Sequence, residues 1–389
     1  MFDTIIIGAG FAGSVLAERL ATQEQKRVLV IDKRRHIGGN CYDCFDDHGV
    51  LIHQYGPHLF HTDNKQVFDY LSQFTEWRTY QHQVLAFIDG QLVPAPFNLN
   101  AIDQLFPPAL AASLTAKLIA TYGYGKKIPI LELRQQDDNE LKFLADFIYN
   151  KLFVNYTAKQ WGMKPEDIAG EVTARVPVHI SRDNRYFQDR YQAVPKYGYT
   201  KIFENLLNHP AISLLLNTDF KQVMNFNTDT GALSLFNAPF AGELIFTGLI
   251  DELFDYRFGE LPYRSLNFAF EHVDTDYYQP TTTVNYPNDY DYTRITEFKY
   301  ISGQTGKGST IVKEYPQDFD RHNPNDGKNI PYYPVFTEAN AQIFNQYREY
   351  AQQFKHITLV GRLAENRYYD MDDMVARALE VFAQRNNNA

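Results

Sequence analysis

Residues 2–31 read FDTIIIGAGFAGSVLAERLATQEQKRVLVI, and Asp32 follows directly. The apolar run 2–7 has no polar alternation, which is the pattern of a strand buried on both faces in a parallel sheet. Gly8-x-Gly10-x-x-Gly13 then forms a tight turn, Ser14–Ala21 reads as a helix, and Arg27–Ile31 is a second buried strand. Together they make one βαβ unit of about 30 residues. The glycines allow the turn, a close backbone approach to a pyrophosphate and packing of helix on sheet. The pyrophosphate then meets N–H groups at the helix start, where Phe11 and Ala12 lie and the helix dipole is positive. Asp32 ends the second strand about 20 residues on, where an acid accepts ribose hydroxyls. The stretch predicts a Rossmann-type domain that binds a dinucleotide.

Outward from this unit, Lys33-Arg34-Arg35-His36-Ile37-Gly38-Gly39-Asn40 follows the acid at once. This resembles the second phosphate-contacting segment of FAD oxidoreductases, an acid, a basic residue and then a Gly-Gly pair. Near the other end, Gly361-Arg362 follows the strand 357–360, and a helix over 371–385 starts at Met371-Asp372-Asp373. That arrangement resembles the closing flavin segment of the same group. There an Arg neutralises pyrophosphate, and a helix N-terminus stabilises negative charge on a reduced ring. FAD is therefore expected in preference to NAD.

Between these ends the pattern changes. Residues 48–60 read as short strands and turns, 65–76 as an amphipathic helix, and 83–95 as a hairpin whose two-residue turn is Asp89-Gly90. From Asn100 to about Val176 the chain is helical: Pro107-Pro108 opens one helix that closes at Tyr122-Gly123, and another runs over 138–155. Residues 200–216 read as helix then strand, 242–247 as a buried strand, and 262–315 as an antiparallel sheet rich in Tyr and Thr. The Pro/Asn/Asp-rich stretch 316–334 reads as a surface loop. The expected fold class is α/β: a Rossmann-type FAD-binding domain with an inserted small helical domain and an antiparallel β-sheet domain. The expected boundaries are 1–80, 200–255 and 340–389 for the first, 99–182 for the helical substrate or lid domain, and 81–98, 183–199 and 256–339 for the sheet.

Composition narrows the function. The chain has 389 residues, 44% hydrophobic and 22% charged, values of a globular protein with real cores. The net charge of −10, with no Lys/Arg run longer than Lys33-Arg34-Arg35, argues against a nucleic-acid partner. No apolar stretch approaches a membrane span, and the start lacks the basic region and cleavage site of a signal peptide, so the cytoplasm is expected. Cys41 and Cys44 are the two cysteines, too few for a disulfide framework. His58 and His61 lie three apart, but no Cys, Asp or Glu partner at metal-ligand spacing joins them, so no metal is expected.

Five further segments carry a specific likeness. They are residues 55–62 (YGPHLFHT), 155–162 (NYTAKQWG), 292–297 (YTRITE), 313–316 (KEYP), and Gly361-Arg362-Leu363 through Arg367-Tyr368-Tyr369-Asp370-Met371-Asp372. In this order, and spanning nearly the whole chain, they resemble the bacterial UDP-galactopyranose mutases. The resemblance implies roles for individual residues. Arg175 and Arg294 stand where the family's two arginines meet the substrate diphosphate, a task suited to the guanidinium fork. Arg175 lies in a Gly/Pro-flanked stretch (168–177) that suits a mobile lid. Tyr156 and Trp161, with Phe153 and Thr157 beside them, match the residues that hold uridine. Tyr186, Tyr315 and Tyr368 match tyrosines near the diphosphate, and Asn285 and Asp370 match polar groups near the substrate. Phe60 and His61 match flavin contacts, His61 near N5, and His58 helps form the sugar pocket.

The family's mechanism, so implied, starts with reduced FAD. Its N5 displaces UDP from the anomeric carbon, the sugar ring opens and recloses through another hydroxyl, and UDP returns with no net electron transfer. Arg175, Arg294 and His61 are the residues closest to that chemistry, and no Ser-His-Asp, zinc or P-loop motif competes. The partners implied are UDP-galactopyranose and UDP-galactofuranose, an external reductant (NAD(P)H or a reductase) and a second copy in a homodimer; the product supplies cell-surface glycans. Three rivals stand beside this reading. A flavin disulfide reductase would use Cys41 and Cys44, though with two residues between them instead of four. An amine-oxidase-like flavoenzyme would share the FAD domain, and a non-catalytic UDP-sugar binder would bind without turnover. Phe298 and Tyr300 stand where many relatives carry His, and Leu249 replaces a common Pro; these departures bear on sugar preference.

Overall fold

The computed structural model describes residues 2–162, 177–323 and 328–387. Five parallel strands form its first sheet, in spatial order Ile212–Leu215, Val28–Ile31, Thr4–Ile7, Glu243–Phe246 and Ile357–Leu359. Numbered along the chain, this order is 3-2-1-4-5, so the direction of winding reverses beside Thr4–Ile7, the place where open α/β sheets bind ligands. Thr4–Ile7 and Val28–Ile31 are buried at every position. Helices Phe11–Gln23, Tyr199–Leu207 and Met371–Asn387 cover the sheet through a core that includes Leu16, Leu20, Val30, Phe203, Ile245 and Val375.

A buried acid builds part of this frame. Helix Tyr199–Leu207 starts after Gly198, which offers no side-chain cap. Asp43, distant in sequence, supplies it: its carboxylate accepts from the backbone N–H of Tyr199 at 2.5 Å and of Thr200 at 2.8 Å. A capping interaction of this kind contributes about 1 kcal/mol.

The chain packs as two compact units, 2–79 with 189–263 and 331–387, and 80–188 with 264–330. Three domains were expected from sequence, but the helical segment and the antiparallel sheet share the second unit. The boundaries also shift. Tyr191–Pro195 pairs between Phe60–Thr62 and Trp77–Thr79, which draws residues 189–199 into the first unit.

In the second unit six strands run in the order Tyr263–Val273, Ser309–Asp318, Arg294–Glu297, Thr283–Asn285, Val84–Ile88 and Gln91–Ala95. Neighbours are antiparallel except Thr283–Asn285 and Val84–Ile88, which are parallel. The hairpin turns at Asp89 and Gly90, both with positive φ (49° and 82°), as a two-residue turn between twisted strands requires. Helix Pro108–Tyr122 has Pro at its start and Gly123 as C-cap, matching the sequence signals. One core joins Val84, Ala86 and Val93 of the sheet to Leu114, Leu118, Leu141 and Leu144 of the helices.

Four local expectations change. The helix capped by Asp138 runs as Asn139–Ile148, then makes a π turn over Tyr149–Phe153 and resumes as Val154–Trp161. The helix expected over 65–76 stops at Leu71. A short helix, Phe298–Ser302, interrupts the sheet expected over 262–315. Within the expected loop 316–334, strand Ser309–Asp318 extends further than read and Tyr333–Pro334 is a short strand. Helix Glu338–Ala351 gave little signal, because Tyr347 is its one buried side chain. No helix among the described residues is long and apolar enough to cross a membrane.

Candidate active site

The first unit carries an open cleft of about 1360 Å³, counting solvent at its mouth. Its walls include Gly8, Gly10, Phe11, Ala12, Asp32, Lys33, Gly38, Gly39, Asn40, His58, Gly361, Arg362, Asp370 and Met371. These are residues the sequence assigned to a cofactor, drawn together from four separate segments. Gly13 sits behind the wall: a Cβ there would lie 1.9 Å from the Gly8 carbonyl oxygen, so glycine is what lets the helix press on the turn. Gly8 has φ +106°, which L side chains avoid. Gly10 and Gly39 lie back to back, with a Cβ on Gly39 only 3.0 Å from Gly10 Cα. The first helical bond is Ser14 N–H to Gly10 O, and Gly10 brings no side-chain cap. The amides of Phe11, Ala12 and Gly13 therefore have no acceptor within the helix, which suits an anion at that end.

Asp32 is buried, and one oxygen accepts from Ala9 N–H while the other accepts from Arg34 N–H, each at 2.8 Å. A carboxylate has about four acceptor positions, so two contacts leave capacity for ribose hydroxyls. Arg34 donates to Asn40 Oδ1 and lies 4.4 Å over the Tyr55 ring, yet its Nη1 is buried without a hydrogen-bond partner. An orphaned guanidinium nitrogen in a cleft wall fits an anionic or hydroxyl-bearing ligand. Cys41 also lines the cleft, and burial pushes its thiol up to about 12, so it stays protonated at neutral pH. Cys44 is half-buried, and both cysteines are free.

The closing segment behaves similarly. Arg362 lies over the rings of Tyr368 (4.7 Å) and Tyr333 (5.4 Å), which stack on each other, and it donates to Tyr369 O. Helix Met371–Asn387 begins at the cleft with Asp372 and Asp373 in its first turn. His58 is fixed by its backbone N–H, which donates to His53 Nδ1, and by its ring Nδ1 on Gly56 O, each at 2.9 Å. Burial drives the His53 ring down to a pKa of about 3, so it is neutral and serves as an acceptor. Phe60 and His61 lie outside the cleft lining. Phe60 is buried against Trp77 at 4.7 Å, and His61 Nδ1 pairs with Asp189 Oδ2 at 3.2 Å. Burial opposes a charge on His61, but the hydrogen bond and charge of Asp189, with Asp370 and Asp372 further off, raise its pKa above the usual value.

The second unit holds the remaining candidates. Arg294 and Asn285 face each other across adjacent strands, and Arg294 is directly opposite Glu314 on its other side. Glu314 is completely buried and reaches Arg294 Nε at 2.8 Å. Burial raises the Glu314 pKa, and Arg294 offsets only part of that rise. Tyr315 follows on the same strand, its ring edge-to-face with Tyr292 and the ring centres 5.9 Å apart. Tyr186 donates its N–H to His82 O and packs edge-on against Phe187 at 4.9 Å. Phe153 packs on the core at the end of the π turn, and Tyr156 and Thr157 follow on the next helix, which ends at Trp161. Asn288 secures this helix by donating to Lys151 O and accepting from Asn155. Arg175 and most of the stretch 168–177 lie outside the described residues.

Of the departures noted in sequence, Phe298 is fully buried and Tyr300 donates to Gln279 O, so both serve packing; Leu249 lines the cleft. Four residues of interest were missed: Arg34, Asp189, Glu314 and Tyr333. Arg34 and Glu314 sat inside quoted motifs, next to the residues chosen. Nothing local marks Asp189 or Tyr333, whose partners come from distant segments.

Comparison with known proteins agrees with this architecture. Residues 151–368 match the family model "UDP-galactopyranose mutase", and residues 6–74 match "NAD(P)-binding Rossmann-like domain". The dTDP-fucopyranose mutase of Escherichia coli is 38% identical, over 98% of this chain and 97% of that protein. The probable UDP-galactopyranose mutase of Klebsiella pneumoniae is 36% identical over 97% and 93%, and the UDP-galactopyranose mutase of Mycoplasma pneumoniae 36% over 97% and 94%. Among solved structures, a reduced UDP-galactopyranose mutase superposes with TM-score 0.75 at 17% identity, covering 100% of this chain and 94% of that one. A putrescine oxidase shares the fold at TM-score 0.60 and 12% identity, over 100% and 99% of the two chains.

Proposed function

The chain belongs to the UDP-galactopyranose mutase family, and from that premise we propose that it interconverts UDP-galactopyranose and UDP-galactofuranose using bound, reduced FAD. The observation that carries the reading is the cleft of the first unit, whose walls are the Gly-rich turn, the Asp32–Asn40 segment and the Gly361–Met371 segment. Reduced flavin, when bound, supplies a nucleophilic nitrogen for the anomeric carbon and needs no net redox change.

The protein's part is binding, orientation and charge. The free amides of Phe11, Ala12 and Gly13 and the guanidinium of Arg362 hold the cofactor pyrophosphate. Asp32 takes the ribose, and Arg34 adds a donor at the same end. The N-terminus of Met371–Asn387 offers partial positive charge to the reduced ring. Arg294 and Arg175 neutralise the substrate diphosphate, which lets UDP depart as a stable anion and return. Glu314 engages Nε of Arg294, while an end-on fork uses the two terminal nitrogens. Phe153, Tyr156 and Trp161 hold the base, Tyr186, Tyr315 and Tyr368 donate to phosphate, and His58 shapes the sugar pocket. The same reading expects a cytoplasmic homodimer, an external reductant and a role in cell-surface glycan synthesis.

A second substrate, dTDP-fucopyranose, is favoured by the 38% identical relative of that specificity. Both substrates are nucleoside diphosphate hexoses, so the same arginines serve either. The test is to give dithionite-reduced protein UDP-galactofuranose and dTDP-fucopyranose separately and follow each by HPLC. Rapid formation of UDP-galactopyranose by reduced protein, and none by oxidised protein, supports the proposal. Turnover of the dTDP sugar alone transfers it to the second substrate, and turnover of neither overturns it.

A further inference from the structure

We propose that Arg264 is a positioning residue for the nucleoside of the substrate: it caps the C-terminus of helix Val154–Trp161 and fixes that helix against the strand that carries Tyr315. This rests on the reading of Tyr156 and Trp161 as residues that hold the base. The residues involved all lie within the second unit. Arg264 stands on strand Tyr263–Val273, directly opposite Asp318 at the end of strand Ser309–Asp318. It is buried, with 6% exposure. Its Nε donates to Gln160 O and its Nη2 to Lys159 O, each at 3.1 Å, and its Nη1 donates to Asp318 Oδ1.

The end of a helix leaves its last carbonyls without N–H partners from a following turn. Gly162, left-handed at φ +68°, turns the chain, and its N–H closes on Ala158 O at 2.8 Å. The next two carbonyls, of Lys159 and Gln160, are those that Arg264 takes. A cation there also meets the negative end of the helix dipole. The planar fork serves two carbonyls and a carboxylate at once, which a lysine ammonium, a point charge, does not reproduce. The packing is close, since a Cβ on Gly162 would lie 3.1 Å from Arg264 Nη1. Elsewhere the helix is pinned by Lys159 Nζ on Tyr286 O and by Asn155 on Asn288. All three nitrogens of Arg264 are engaged with protein, so it acts on the nucleotide through the helix and not as a further phosphate contact.

The test uses full-length holoprotein and compares wild type with Arg264→Met, Arg264→Lys and Gly162→Ala, the last crowding the same guanidinium. Calorimetry reads the binding of UMP and of UDP. Both affinities should fall by the same factor, about tenfold in Arg264→Met and about threefold in Arg264→Lys and Gly162→Ala. In turnover of UDP-galactofuranose, KM should rise about tenfold in Arg264→Met while kcat stays within about twofold, as expected for lost uniform binding. Flavin absorbance per polypeptide should not change. If Arg264→Met does not fold, Gly162→Ala, which keeps the buried pair, carries the comparison. Loss of UDP affinity with UMP affinity unchanged would make Arg264 a phosphate contact and overturn the proposal. A fall in kcat at constant KM, or an Arg264→Lys protein no better than Arg264→Met, would do the same. If wild type binds neither nucleotide, the proposed function fails. Hydrogen exchange of amides 154–161, expected about tenfold faster in Arg264→Met, then decides the cap by itself, and unchanged exchange overturns it.

Discussion

Replacing Gly13 by Ala tests the dinucleotide turn where its geometry is tightest. The new Cβ would lie 1.9 Å from the Gly8 carbonyl oxygen and 3.1 Å from Ile6 Cγ2. Real Cβ atoms stay beyond 3.0 Å, so the helix must retreat by at least 1.1 Å (3.0 − 1.9), and the atom it meets is backbone that cannot rotate away. Overpacking of this kind costs about 1–3 kcal/mol, and at roughly 2–4 °C per kcal/mol for bodies of this size the melting temperature falls by about 2–12 °C. The retreat also carries the amides of Phe11 and Ala12 away from the pyrophosphate. Gly10→Ala is the control. There φ is −80°, ordinary for alanine, and the nearest atom is Gly39 Cα at 3.8 Å, so the methyl fits the protein but stands in the cleft. Its stability change should stay within about 0.5 kcal/mol. Thermal melting and visible absorbance per polypeptide separate the two: Gly13→Ala loses stability and flavin, Gly10→Ala loses flavin alone. A Gly13→Ala protein with wild-type melting and full flavin would refute the reasoning, as would a Gly10→Ala protein that keeps its flavin.

Other expectations follow from the same structure. Arg294→Met should abolish UDP binding by calorimetry and, by stranding buried Glu314, cost about 3–5 kcal/mol in urea unfolding; Arg294→Met with Glu314→Gln should recover the stability but not the binding. His53 has an ordinary pKa of 6.5 and a folded value of about 3. Across that interval the unfolded chain binds the extra proton, so stability falls as pH drops, by about 1.4 kcal/mol per pH unit from this group. His53→Gln should flatten the slope of unfolding free energy against pH. Asp43→Ala should uncap helix Tyr199–Leu207 and cost about 0.5–2 kcal/mol in the same unfolding assay. Replacing Cys41 and Cys44 by Ser should leave isomerisation intact; its loss would revive the disulfide-reductase reading.

Much of the first unit was legible because its signals are local. The Gly-rich turn, the buried strands and Asp32 lie within 31 residues and describe one βαβ unit (32 − 2 + 1 = 31). The hairpin at Asp89-Gly90 and the helix from Pro108 to Tyr122 were readable for the same reason, since turn and cap residues act through the backbone beside them. What escaped depends on pairing at a distance. Asp43 caps a helix more than 150 residues away (199 − 43 = 156), Asp189 reaches His61 through strand register, and Glu314 meets Arg294 across a sheet. The helical segment and the antiparallel sheet look separate because their hydrophobic periods differ, yet Val84 and Leu144 belong to one core. The π turn at Tyr149–Phe153 is invisible to a 3.6-residue period, which drifts past a single inserted residue.

The most direct test is to count product formed per flavin under anaerobic conditions, after one reduction with dithionite and removal of excess reductant. The account predicts many turnovers of UDP-galactofuranose per flavin, with the cofactor still reduced at the end. Reoxidation of the flavin in proportion to sugar consumed would make the protein an oxidoreductase and contradict it.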